Sequence, residues 1–101
     1  MNNQEITDGI EFLERKIKDF DIVQKMFDIS KNSKEKNILE EKLYDVMFEA
    51  KDYILADDCY EFVYADSNAG RKSAFISGLT KKTYFRKDLK YFIDNFKQKI
   101  Q

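Results

Sequence analysis

Residues 81–100, KKTYFRKDLKYFIDNFKQKI, decide the fold. Wound at about 100° per residue, Phe85, Leu89, Phe92 and Phe96 fall within about 60° of one another, with Ile93 and Ile100 on one flank. That is the apolar stripe of a helix lying on a core, and it predicts a helix over 81–99. Basic side chains border the stripe. Arg86, Lys90 and Lys97 run beside it, Lys81, Lys82 and Lys87 crowd the first turns, and Arg71 and Lys72 stand just upstream.

The same periodicity extends towards the N-terminus, where Ile6, Ile10, Leu13, Ile17 and Phe20 follow at steps of 4, 3, 4 and 3. These positions stack on one helix face, with Thr7 or Asp8 available to cap its start. After Asp21, Ile22, Val23, Met26, Phe27 and Ile29 no longer share a narrow stripe. The helix either continues to about residue 29 with burial on two sides or bends near residues 19–21, and continuation is the favoured expectation. Residues 30–33 have turn composition, and Ser33 is the expected cap of a second helix over 34–55 carrying Leu39, Leu43, Val46, Met47, Ala50, Tyr53 and Ile54. Leu55, Cys59, Phe62 and Val63 leave that stripe, so a kink or break is expected at residues 56–58. A short helix near 58–65 follows, with a strand as the alternative because Tyr60, Phe62 and Tyr64 alternate with Glu61 and Val63. Residues 66–70 form the clearest turn; a short helix over 71–79 carries Ala74, Phe75 and Leu79, and Gly78 and Thr80 offer its ending and a new cap.

The class that results is all-α: a single-domain bundle of four to five helices, two long N-terminal ones, short connecting ones and a basic C-terminal one. A length of 101 residues suits one core. With 43% hydrophobic and 15% aromatic residues, the chain has enough apolar material to fold despite 37% charged residues. Proline is absent. No apolar run approaches the ~18 residues of a membrane span and no secretory signal opens the chain, so the expected location is the cytoplasm of a bacterial host cell.

Composition also narrows the chemistry. There is no histidine, which removes Ser-His-Asp triads, histidine metal sites and imidazole acid–base catalysis. The three glycines, Gly9, Gly70 and Gly78, stand alone and build no phosphate loop. Cys59 is the single cysteine, and without an imidazole to activate it a small buried side chain is expected rather than a reactive thiol. The expectation is a protein without catalytic activity, cofactor or metal.

Charge is divided along the chain. Residues 1–66 carry 9 Lys and Arg against 17 Asp and Glu, 9 − 17 = −8, and residues 67–101 carry 9 against 2, 9 − 2 = +7. Such asymmetry points to a macromolecular partner or to self-association. Two candidate surfaces follow: a basic one, Arg71, Lys72, Lys81, Lys82, Arg86, Lys87 and Lys90, for an acidic protein face or phosphates, and an acidic one, Asp57, Asp58, Glu61 and Asp66, for a basic face. The bland alternatives are a solvated lysine coat along the aromatic edge and, for Asp57 and Asp58, caps of the following helix. A magnesium or calcium site in the acidic group is a further alternative, although the group lacks an EF-hand pattern.

Ala74 and Gly78, four apart ahead of a basic helix, give a partial resemblance to the helix-turn-helix, in which small residues let two helices pack closely. The later apolar positions of that motif fall on Tyr84 and Lys87. Lysine outnumbers arginine 15 to 3, and Ile, Asn, Asp, Phe and Tyr are abundant, as AT-rich coding favours, which fits a low-GC bacterium or its phages or plasmids. By analogy of size and polarity alone, the chain resembles phage-encoded inhibitors such as anti-CRISPR proteins. The expected function is therefore a small accessory protein that binds and inhibits or modulates a host protein or nucleoprotein complex. The alternative is a DNA-binding regulator using residues 71–90, acting as a homodimer. Mutual satisfaction of the two charged regions, within one chain or head to tail between chains, is the third expectation.

Overall fold

A computed structural model describes residues 1–101, and it is all-α. Helix α1 spans Asn3–Ile29, α2 Ser33–Leu55, α3 Cys59–Val63, α4 Ala69–Leu79 and α5 Lys82–Lys97, with a 3-10 turn at Ala56–Asp58 between α2 and α3. Helix α1 continues unbroken past Asp21, as the favoured expectation had it. The second face is not covered, however: Ile22, Met26 and Ile29 stand on the outside of α1, opposite the core stripe.

Four helix starts differ from expectation. At α5, Lys81, without a side-chain hydrogen bond, and not Thr80, holds the cap position, while Thr80 ends α4 and its hydroxyl donates to the Ser77 carbonyl. Asn2 opens α1: its side chain accepts from the Glu5 N–H at 2.8 Å, and the Asn2 N–H donates to Glu5 Oε1 at 3.1 Å. This reciprocal box satisfies two otherwise orphaned donors and puts Thr7 and Asp8 inside the helix. Asn32, not Ser33, caps α2, because its Oδ1 accepts from the N–H groups of Lys34 and Glu35. Asn68 Oδ1 accepts from the Arg71 N–H at 2.8 Å and starts α4 at Ala69, two residues before the expected 71.

The expected break at residues 56–58 is present, and residues 59–63 are helical, not a strand. Asp57 and Asp58 do not cap α3 with their side chains. Both take left-handed backbone conformations, φ 52° and 56°, a region that Asp tolerates better than most L-residues. Two such residues in succession turn the chain sharply, so that α3 folds back and buries Cys59, Tyr60 and Val63.

Helices α1 and α2 form an antiparallel hairpin, and α5 lies antiparallel to α1, with Arg86 against Asp21 near one end and Lys97 against Glu14 further along. One continuous core of 17 buried residues joins all five helices. Its centre is aromatic: Phe85, Phe92 and Phe96 are fully buried on α5, and Phe20 packs at a tilt against Phe85 with centroids 4.9 Å apart. The α5 stripe thus does what its spacing predicts, except that Ile100 lies past the helix and is exposed. No buried side-chain polar atom lacks a partner. Gly9 is required by a close approach: a Cβ there would run into the Tyr53 hydroxyl and Phe96.

Candidate binding surface

The core stripe of α5 turns its opposite side to solvent. On that side stand Thr83, Lys87, Lys90, Tyr91 and Asp94, with Tyr84 next to them. Tyr84 is 51% exposed and Tyr91 63% exposed, large apolar bodies that a monomeric core does not use. Helix α4 lies beside this face. Gly78 permits the contact, since the Asp88 carboxylate occupies the space a Cβ would take.

Ion pairing divides the basic candidates into two groups. Lys72 pairs with Glu61 and lies over the Tyr60 ring, 5.5 Å from its centroid. That bond holds the Glu61 carboxyl below the usual carboxylate range. Lys82 reaches Glu40 at 3.1 Å and sits 5.1 Å from the Phe27 centroid. Arg86 Nε donates to both Asp21 oxygens, at 3.1 and 3.2 Å. These three side chains fasten α4 and α5 to the acidic part of the chain, and so does Lys97 through Glu14. Arg71, Lys81, Lys87, Lys90 and Lys99 have no carboxylate within ion-pair distance.

The polarity read from the sequence is therefore halved, not abolished. Four pairs cross the boundary between residues 1–66 and 67–101. Removing them leaves −8 + 4 = −4 on the first part and +7 − 4 = +3 on the second. Part of the charge is satisfied within the chain, and the unpaired cations of the second part are Arg71 on α4, Lys87 and Lys90 on α5, and Lys81 and Lys99 at the two ends of α5, with Asp94 on the same α5 face as Lys87 and Lys90.

The acidic candidates do not converge. Asp57 and Asp58 occupy the left-handed turn, Glu61 is engaged by Lys72, and Asp66 sits on the α3–α4 connection. No three acidic or cysteine side chains gather as metal ligands would. Cys59 is buried, and burial, with Glu61 adding to it, raises its thiol to about 11.

Beside Tyr91 the surface dips into a cleft of about 460 Å³ floored by Tyr60, Val63, Tyr64 and Phe75. Asp66 and Arg71, one from each candidate set, meet on its rim with Lys99. Tyr60 packs at a tilt against Tyr64 and Phe75, with centroids 5.2 and 5.7 Å away, and both Tyr64 and Phe75 lean on Phe92 at 5.7 Å. The Tyr60 hydroxyl bonds Ser67 Oγ at 2.7 Å, and Asn95 Nδ2 donates to the Tyr64 hydroxyl at 3.1 Å. The cleft was not legible in the sequence, because its walls come from three helices. Tyr84 and Tyr91 did carry a signal: both lie off the α5 stripe at helical winding.

The helix-turn-helix spacing is not matched by its packing. Tyr84 and Lys87, where that motif needs core side chains, are both exposed, while Phe85 and Leu89 enter the core instead. No helix is long and apolar enough to cross a membrane. Comparison with models of known protein families, with curated proteins and with solved structures gives no match.

Proposed function

We propose that this protein is a non-catalytic binding protein that docks through the outer face of α5 and the adjoining start of α4 onto an acidic surface of a larger protein or nucleoprotein complex, and thereby inhibits or modulates it. The observation that carries this is the pairing pattern. Lys72, Lys82, Arg86 and Lys97 are neutralised within the chain, whereas Arg71, Lys81, Lys87 and Lys90 are left without carboxylates and share their surface with two exposed tyrosines. Tyrosines next to cations are effective anchors, since they desolvate a large area with few rotatable bonds. Unpaired charge also speeds encounter with a partner of opposite sign.

The test is affinity capture from a low-GC bacterial lysate with quantitative mass spectrometry, comparing the native chain with Lys87→Glu/Lys90→Glu. A control, Lys25→Glu/Lys31→Glu, changes net charge equally at the end of α1 and the connection after it, off the outer face of α5. A partner retained by the control and lost by the α5 variant supports the docking face; equal capture by all three removes it. The DNA-regulator alternative is tested in the same preparation with labelled duplex and single-stranded DNA at two salt concentrations. Binding that falls log-linearly with salt, and that Lys87→Glu/Lys90→Glu abolishes, would favour that alternative.

A further inference from the structure

We infer that the cleft beside Tyr91 receives a large aromatic or aliphatic anchor side chain carried on an acidic segment of the partner protein. This rests on the docking face proposed above and names the chemistry the partner must present to it.

The floor is aromatic and already packed. Tyr60, Tyr64 and Phe75 hold one another by ring contacts, and Tyr64 and Phe75 rest on the buried Phe92, so an incoming side chain meets a formed surface. A volume of about 460 Å³ is within the ordinary range of binding clefts. Tyr91 forms one wall and is 63% exposed, so filling the cleft removes part of its ring from water.

The rim sets the charge of the occupant. Arg71 and Lys99 stand there without carboxylate partners, against the single carboxylate of Asp66, which gives a local balance of 2 − 1 = +1. Asn68 accepts from the backbone N–H of Arg71 and so fixes the turn of α4 from which that side chain extends. The Tyr64 hydroxyl accepts from Asn95, so its own O–H is left to donate to a carbonyl or carboxylate of the occupant. Asp66 repels a phosphate more than the single charge of a carboxylate, and it can accept a backbone N–H that only a peptide supplies. An acidic peptide with an apolar anchor fits all of these groups, and a nucleotide fits only some.

The experiment is fluorescence anisotropy with a labelled peptide containing one tryptophan flanked by two glutamates on each side. Comparators are the same peptide with alanine for tryptophan, the same with lysine for glutamate, and labelled oligothymidylate. The tryptophan–glutamate peptide is expected to bind at least about tenfold tighter than either altered peptide. Arg71→Glu/Lys99→Glu and, separately, the surface change Tyr91→Ala should each weaken it about tenfold, with unchanged circular dichroism. Equal binding of the three peptides, tighter binding of oligothymidylate, or indifference to both variants overturns the inference. The two proposals fail separately. If Lys87→Glu/Lys90→Glu loses the captured partner while the peptide ignores the cleft variants, the docking face stands and the cleft does not; the converse result keeps the cleft and removes the face.

Discussion

Reversing Lys82 to glutamate should destabilise this protein far more than reversing Lys87 and Lys90 together. The Lys82 ammonium is 3.1 Å from Glu40 and lies 5.1 Å and 6.0 Å from the Phe27 and Tyr44 centroids, so it ties the start of α5 to both α1 and α2. Losing a partly exposed ion pair costs about 0.5 kcal/mol, losing the cation–π contacts about 1 kcal/mol, and facing a new carboxylate to Glu40 about 0.5 kcal/mol more. The sum is about 2 kcal/mol, which for a domain of this size lowers Tm by about 8–16 °C. Lys87 and Lys90 touch no carboxylate, so their reversal should stay within about 0.5 kcal/mol. Thermal unfolding followed by circular dichroism at low and moderate salt measures both. Added salt should recover only part of the Lys82→Glu loss, because screening acts on the charge terms and not on the lost aromatic packing. A Lys82→Glu protein melting within about 2 °C of the native one, or an equal loss in the double variant, would refute the division of the basic residues into fasteners and docking groups.

Three further outcomes follow from the geometry. Asp57→Gly should raise stability by about 0.5–1 kcal/mol in urea denaturation, because glycine takes the left-handed backbone at φ 52° without strain; a loss would show an unrecognised contact of the Asp57 side chain. Gly9→Ala should cost about 1–3 kcal/mol, since the new methyl meets Tyr53 and Phe96, and Tyr53→Phe in the same chain should recover part of it. The Cys59 thiol, raised from 9.0 to about 11 in the folded protein, holds its proton where the unfolded chain has released it. Its contribution to stability is therefore complete below about pH 9 and is lost as pH rises towards 11. At neutral pH a thiol reagent should label Cys59 only in denaturant; rapid labelling of the folded protein would contradict its burial.

Much of the fold was legible because the signals are local. The stripes of α1, α2 and α5, the break at residues 56–58 and the turn after Asp66 all rest on helical periodicity and turn composition, which neighbours in sequence decide. The helix starts were misplaced by one residue at α2, two at α4 and five or six at α1, where an asparagine outcompeted the expected cap, and the Asn2–Glu5 box was there to be read. The basic surface was legible as composition only. Arg71, Lys81, Lys87 and Lys90 remain available on it, while Lys72, Lys82 and Arg86 proved to be structural fasteners.

By itself the sequence determined an all-α bundle, the faces its helices bury and the opposite signs of its two parts. Only the tertiary structure decided which charges stay unpaired, because Glu40 and Lys82, or Asp21 and Arg86, lie 42 and 65 residues apart and meet only after α5 packs against the hairpin. The aromatic cleft has the same origin. Its floor and rim come from α3, α4, α5 and the turn between the first two, and no periodicity within one helix can report a concavity formed by several.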